Sequence, residues 1–177
     1  ANGNFEVVKL DPPVKTGRRA RNVIVMIGDG MGIAHRTAAR LMLHGAYDGK
    51  AKGLLAMDTF PFTGLVMTPS LNSIVTDSSP GAACYSTGNK SNNNQHEVFP
   101  DDTVPSSDDG SPNFDNPRVE SIGEYFARPR GKSLGIVTTA DVFDATPAAF
   151  ASHTQSRAAG TGIVDELFDD RERTGLK

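Results

Sequence analysis

The sequence predicts an α/β fold in which helices cover both faces of a largely parallel sheet. The continuous apolar run Val23–Ile27 is typical of a strand buried on both faces, and Ser133–Thr139 is predicted to be another buried strand. Helical patterns alternate with these runs along the chain, as they do in a doubly wound sheet. The 177 residues, 37% hydrophobic and 22% charged, are sufficient for one globular domain with a hydrophobic core.

Composition argues against several classes of function. The net charge of −3 disfavours general nucleic-acid binding. Because the sequence contains no long apolar run, we expect no membrane-spanning helix. The single cysteine, Cys84, rules out an intrachain disulfide, and a chain that begins at Ala1 is expected to be a processed form.

The first strand is followed by a glycine-rich loop that carries one carboxylate. After a polar N-terminal arm over residues 1–20, Val23–Ile27 leads into Gly28–Gly32, and a helix is predicted over Ile33–His44. The spacing G-x-G-x-G is not that of a dinucleotide-binding loop, and Asp29 would repel a pyrophosphate. Asp29 is therefore either a metal ligand at the carboxyl end of a strand or a cap of the turn.

A second loop places a serine at the start of a helix. Short strands are predicted at Gly64–Met67 and Ser73–Val75, and the second leads through Asp77 into a small-residue helix that ends at Gly88. We predict Ser79 as the N-cap and Pro80 as the first helical residue. Ser78 would then lie near the positive end of the helix dipole, which favours an oxyanion by up to about 1 kcal/mol. Taken alone, the stretch is more typical of a well-capped structural helix.

The rest of the chain is predicted as a surface loop followed by alternating helices and one strand. The acidic, proline-containing residues 89–117 indicate a solvated loop, and neither His44 nor His96 is assigned a role. The remaining elements are a helix over Arg118–Arg128, the strand Ser133–Thr139, a helix opened by Pro147 with Thr146 as its N-cap, and a helix over residues 160–177. His153 and Arg157 would lie on one face of the Pro147 helix.

Three strand ends carry polar side chains that we expect to converge. They are Asp29, the pair Asp77-Ser78, and the stretch 144–146, and carboxyl ends of parallel strands lie along one edge of a sheet. No histidine is placed to act as a base for Ser78, so a metal ion would have to activate this hydroxyl. A metal, an arginine and a helix N-terminus together suit a tetrahedral oxyanion such as phosphate.

Several blocks of the sequence resemble the alkaline phosphatase family. These blocks occur in the family's order over roughly residues 20–160. The first three are Val25–Gly32, Val75–Ser78 and Ser86–Gly88. The last block lies within 138–157 and comprises Thr138–Ala140, Asp144–Ala149, His153 and Ser156-Arg157. The resemblance implies a three-layer α/β/α sandwich, with residues 21–177 forming the N-terminal part of one phosphatase domain and of its sheet. It implies phosphate-monoester hydrolysis through a phosphoserine intermediate, with zinc (Zn2+) and magnesium (Mg2+) as cofactors.

The resemblance also implies roles for individual residues. Ser78 corresponds to the nucleophile, Arg157 to the arginine that holds two phosphate oxygens, and Asp77 to the residue that orients it. Asp29 resembles the carboxylate that bridges the second zinc and the magnesium, and Asp144 and Thr146 resemble residues around the magnesium. His153 matches a histidine that is not a metal ligand in the family.

Two departures from the family pattern limit what this chain is expected to do. Ser79-Pro80 replaces small residues, and no Asp-His pair or further metal ligand of the family is recognisable after Arg157. We therefore expect a second polypeptide to carry the C-terminal half of the enzyme, with a homodimer possible, and we expect a periplasmic or secreted location. The alternatives are a non-catalytic anion- or nucleotide-binding α/β module and a sulfatase-like or mutase-like relative.

Overall fold

The computed structural model describes residues 20–100 and 113–177, which divide into two compact units. One unit ends at Val66 and the other begins at Met67. The predicted N-terminal arm, up to residue 19, and residues 101–112 of the predicted acidic loop lie outside the described residues. Within those residues, no helix is long and apolar enough to cross a membrane.

The first unit contains one long helix and a small hairpin. Helix α1 (Ile33–His44) ends at Gly45, whose φ of 73° is accessible to glycine, so this predicted helix is confirmed with its bounds. Strands β1 (Ala46–Tyr47) and β2 (Lys50–Ala51) pair antiparallel. A 3₁₀ turn over Ala56–Thr59 follows them.

The second unit is built from short helices around a core of small and branched side chains. The helices are α2 (Ser78–Thr87), α3 (Ile122–Arg130), α4 (Ala145–Ala148), α5 (Gly160–Asp169) and α6 (Arg171–Thr174). Ala148, Ala151, Ile163 and Leu167 form the buried core, and Phe114, among other apolar side chains, packs against it. Ala148 and Ala151 pack in this core with Ile163 and Leu167 of α5, so the end of α4 and the segment that follows it are anchored by the core.

The two predicted N-caps in this unit were each placed two residues too late. Asp77, not Ser79, caps α2, because its Oδ1 accepts a hydrogen bond from the Ser79 amide at 2.7 Å. Asp144, not Thr146, caps α4. Pro80 is consequently the third helical residue, where its missing N–H is harmless because the first amides of a helix have no intrahelical acceptor.

The predictions for the other helices of this unit were partly wrong. Helix α3 begins at Ile122 rather than at 118, because Ser121 and Glu124 form a capping box, and it continues through Pro129 to Gly131. The predicted helix over 160–177 is interrupted at Asp170, which ends α5 and begins α6. The stretch after α4 is not helical, so the prediction that His153 and Arg157 share one helix face was wrong.

Four predicted strands are not paired in the described parts of the chain. Residues 23–27, 64–67, 73–75 and 133–139 form no ladder, apart from a single parallel bridge between Leu134 and Leu176. Most of their apolar side chains are exposed, with Ile74 92% and Leu65 93% exposed, whereas Leu134 and Ile136 pack against the core. An extended segment becomes a strand only when a neighbour supplies hydrogen bonds along it, and among the described residues only Leu134 has such a neighbour.

Part of the predicted solvated loop is buried. His96, Glu97 and Val98 are almost inaccessible to solvent. His96 exchanges backbone hydrogen bonds with Thr154, at 2.9 and 3.0 Å. The prediction of a surface loop was therefore wrong for this stretch, because distant backbone groups satisfy its polar atoms.

Candidate active site

The guanidinium of Arg157 links three side chains that the sequence analysis had placed together. Arg157 Nη1 donates to Ser78 Oγ at 2.9 Å and to Asp77 Oδ1 at 3.2 Å, and Arg157 Nη2 donates to Asp144 Oδ1 at 2.7 Å. The predicted convergence of the 77–78 and 144–146 loops is thus confirmed. Arg157 and Asp77 are about three-quarters buried, so these ion pairs are partly screened from solvent.

Asp77 holds the start of α2 and the loop beside it in one arrangement. Its Oδ1 caps the helix through Ser79, and its Oδ2 accepts a hydrogen bond from the backbone amide of Asn94 at 2.6 Å. The carbonyl of Asn94 accepts a hydrogen bond from the Arg157 amide at 2.8 Å. One carboxylate therefore fixes the serine-bearing helix end, the neighbouring loop and the arginine relative to each other.

Asp144 and Thr146 lie at the beginning of α4. Asp144 Oδ1 accepts hydrogen bonds from the Ala145 amide and from Arg157, both at 2.7 Å, and the side chain remains 45% exposed. Thr146 is half-buried. Asp29 belongs to the first unit, and its role as a metal ligand stays a prediction.

A buried histidine supports the helix start from the other side. His96 Nδ1 is 2.8 Å from Ser79 Oγ, and His96 Nε2 is 3.0 Å from Ser152 Oγ. Burial lowers the pKa of His96 to about 3, and the charges of His153 and Arg157 act in the same direction. His96 is therefore neutral at physiological pH, and it connects α2 to the segment that leads to Arg157.

His153 lies in a second polar cluster of the same unit, which the sequence analysis did not foresee. Its ring is enclosed by the carboxylates of Glu97, Glu124 and Glu166. Burial raises the pKa of Glu97 to about 8, although His153 opposes that shift. Sequence spacing gave no indication of this cluster, because Glu97 and His153 are far apart in the chain. The capping box at Ser121 and Glu124 was the one local signal that a reader of the sequence could have used.

Comparison with known proteins identifies the family. A family model of alkaline phosphatases matches residues 20–168. The chain belongs to the alkaline phosphatase family. It is 40% identical over 144 residues to a streptomycin-6-phosphate phosphatase of Streptomyces griseus, covering 78% of this chain and 28% of that protein. It is 37% identical over 156 residues to the tissue-nonspecific alkaline phosphatase of Homo sapiens, covering 86% of this chain and 28% of that one.

Solved alkaline phosphatases confirm the predicted α/β fold class. The enzyme of Thermus thermophilus matches with a TM-score of 0.65 at 28% identity, over 86% of this chain and 29% of that structure. A cold-active enzyme from a Shewanella species matches with a TM-score of 0.63 at 29% identity, over 81% of this chain and 32% of that structure. A mutant of the TAB5 alkaline phosphatase, described with Mg bound in its M3 site, matches with a TM-score of 0.60 at 28% identity, over 80% of this chain and 34% of that structure. This alkaline phosphatase chain thus spans about a third or less of the length of these relatives.

Proposed function

We propose that this protein hydrolyses phosphate monoesters and that Ser78 is its nucleophile. The observation that carries the proposal is the contact between Arg157 Nη1 and Ser78 Oγ at 2.9 Å, with Asp77 fixing both groups. A phosphoryl group on Ser78 Oγ would lie within reach of the same guanidinium, whose fork matches two phosphate oxygens. Family membership supports phosphomonoester chemistry in general terms.

The proposed reaction has two displacement steps at phosphorus. In the first, Ser78 Oγ forms a bond to phosphorus while the ester oxygen leaves with a proton as the alcohol. In the second, water attacks the phosphoserine, the bond between phosphorus and Ser78 Oγ breaks, and inorganic phosphate is released. Arg157 would stabilise the charge on the equatorial oxygens in both steps, and Asp77 would keep the guanidinium aimed at them.

The described donor set fits magnesium and does not fit zinc. Asp144, Thr146 and Ser78 offer only oxygen atoms, as does Asp29, and oxygen ligands are what Mg2+ prefers. Zinc sites commonly include nitrogen or sulfur, yet in the described part of the second unit His96 is engaged by two serines and His153 lies in the separate glutamate cluster rather than with Ser78. We propose that Asp144 and Thr146 help to hold magnesium, which would supply positive charge beside the phosphate; that Asp29 is also a magnesium ligand is proposed from the family resemblance alone.

We further propose that polypeptide outside these 177 residues completes the site, as a second chain or as further sequence. Exposed apolar segments such as Ser73–Val75 would pair with its strands, and it would supply nitrogen ligands for zinc. A periplasmic or secreted location is proposed on the same family grounds. Co-purification of the complementary phosphatase polypeptide, or its detection on the same chain by intact mass, tests this proposal.

Kinetics of two neighbouring serine variants test the proposed nucleophile. Ser78→Ala in the full-length protein is expected to remove p-nitrophenyl phosphate hydrolysis, because no other hydroxyl occupies its position. Ser79→Ala is the matched control: Ser79 is buried against His96, so its loss is expected to lower stability while leaving measurable turnover. Wild-type turnover in Ser78→Ala would exclude Ser78 as the nucleophile.

A further inference from the structure

The cluster around His153 is the largest concentration of buried ionisable groups in the described second unit. Glu97 comes from the loop before the undescribed residues, Glu124 from α3, Glu166 from α5, and His153 from the segment after α4. The side chains of His153 and Glu97 are fully buried, and those of Glu124 and Glu166 are 6% and 7% exposed. Neither Ser78 nor Arg157 belongs to this cluster.

One ring and one carboxylate at the centre of the cluster lack well-formed hydrogen bonds. Both ring nitrogens of His153 and both carboxylate oxygens of Glu97 are buried with no partner of good hydrogen-bond geometry, although the Ser86 hydroxyl lies close enough to Glu97 to favour its charged form. Buried polar atoms are nearly always paired, and a carboxylate without a donor is among the least favourable groups to bury. These atoms point at one another, so the centre of the cluster calls for a positively charged occupant.

The spacing of the central atoms matches that of ligands around one metal ion. His153 Nε2 lies 3.4 Å from Glu97 Oε2 and 3.4 Å from Glu124 Oε2, and the candidate ligand atoms of these three residues all lie within 4.8 Å of one another. Ligands at the usual zinc distances in a tetrahedron are separated by about 3.4 Å. An imidazole nitrogen with two carboxylate oxygens is a donor set that divalent zinc or manganese accepts.

The groups around the centre resemble the outer ligands of a metal site. Glu166 Oε1 lies 3.3 Å from His153 Nδ1, on the side of the ring away from Glu97 and Glu124, where a carboxylate can fix the orientation of a ligating imidazole. Glu166 Oε2 also accepts a hydrogen bond from the His153 amide at 2.8 Å. Glu124 Oε2 accepts one from the Ser121 amide at 2.8 Å, which fixes that carboxylate.

The charges of the cluster leave a deficit that a divalent cation would meet. Arg118 Nη2 pairs with Glu166 Oε1 at 2.9 Å, and Arg173 pairs with Glu124. Glu97 has no arginine or lysine within salt-bridge distance among the described residues; Arg173 acts on it only from farther away, and His153 Nε2 is the nitrogen beside it. Four carboxylates, counting Asp170, which both arginines also contact, share these two arginines, so with a neutral His153 a divalent ion would balance the remaining charge of −2 and occupy the lone pair of Nε2.

We propose that Glu97, Glu124 and His153 form a buried divalent-metal site, separate from the Ser78 site, that takes an ion of the zinc or manganese type. Such an ion would join the 91–98 loop, α3 and the segment that carries Arg157. His153 precedes Arg157 by four residues, and His96, next to Glu97, is paired with Thr154 in that same segment. The ion would therefore help to fix the backbone from which Arg157 extends.

The site is tested by metal binding and by its position in a crystal. The full-length protein is stripped with a chelator and titrated with Zn2+ alone, and bound zinc is counted by mass spectrometry of the metal. Glu97→Gln is expected to bind one zinc fewer per chain, with at least about 100-fold weaker affinity at that site, since even outer-ligand changes cost 10–100-fold. Glu120→Gln, a change to a nearby exposed carboxylate, is the matched control and is expected to keep the wild-type count.

Two results would overturn the metal site. The first is a zinc count that is unchanged in Glu97→Gln together with a higher stability than that of the wild type. This result would mean that Glu97 is protonated in the folded protein and that no metal ion lies between the three side chains. The second does not depend on whether the variant folds: crystals of the wild-type protein soaked in Zn2+ must show anomalous density between Glu97, Glu124 and His153. Absence of that density at full soaking would exclude the site.

Discussion

Replacing Arg157 with lysine separates the geometry of the oxyanion site from its charge. In the structure, Nη1 reaches Ser78 Oγ at 2.9 Å while Nη2 reaches Asp144 Oδ1 at 2.7 Å. A single ammonium cannot direct two donors as the guanidinium fork does, so we expect Arg157→Lys to lose one charge-assisted hydrogen bond to a bound phosphate. Such a bond contributes about 1.5–3 kcal/mol, and we take about 1.5 because partial exposure weakens it.

This loss can be measured as weaker inhibition by phosphate. A loss of about 1.5 kcal/mol corresponds to a roughly tenfold higher inhibition constant for Arg157→Lys. Arg157→Ala loses both contacts, and we expect a roughly 100-fold increase. The assay is competition of inorganic phosphate with p-nitrophenyl phosphate in the full-length protein, and Arg171→Lys, on the exposed surface of α6, is the control. An inhibition constant unchanged in Arg157→Ala would remove this residue from the site.

Two further predictions concern stability. Asp77→Ala is expected to destabilise the folded state by about 2–3 kcal/mol, because it removes the α2 cap and the acceptor of the Asn94 amide. Asp77→Asn should cost less, and denaturant unfolding measures the loss of stability in both variants. Equal losses would contradict the role of Asp77 as an acceptor. Burial keeps the pKa of His96 at about 3, so the unfolded chain binds more protons than the folded one below about pH 6.5. The wild type should therefore lose stability relative to His96→Gln by up to about 1.4 kcal/mol per pH unit as the pH falls from 6.5 to 4.5, and a constant difference across that range would show that His96 titrates normally.

Helices with strong local signals were predictable from the sequence. Helix α1 combines apolar residues at helical spacing with a terminal glycine, and both of its ends were correct. The starts of α2 and α4 were misplaced because aspartate, serine and threonine are all good N-caps and occur side by side at both sites. Tertiary contacts decided between them: Asp77 was selected through its bonds to Arg157 and Asn94.

Long-range pairing explains the remaining differences. The predicted strands have the right composition, yet a strand also needs a neighbour, and local sequence cannot say where that neighbour lies. The loop around His96 has the composition of a solvated segment, but Thr154 satisfies its backbone and Ser79 and Ser152 satisfy its ring. The grouping of Asp77, Ser78, Asp144 and Arg157 was predicted more completely, because these residues lie in short motifs that the sequence shows, and their roles stay predictions.

The most direct test of the proposed function is to locate phosphate on the protein. The full-length protein is mixed with a phosphomonoester, quenched in acid during turnover, digested and analysed by peptide mass spectrometry. The proposed mechanism predicts one phosphorylated residue, Ser78, whose label disappears when the substrate is exhausted. Phosphate on Thr76 or Ser79, or turnover without any phosphorylated serine, would contradict it.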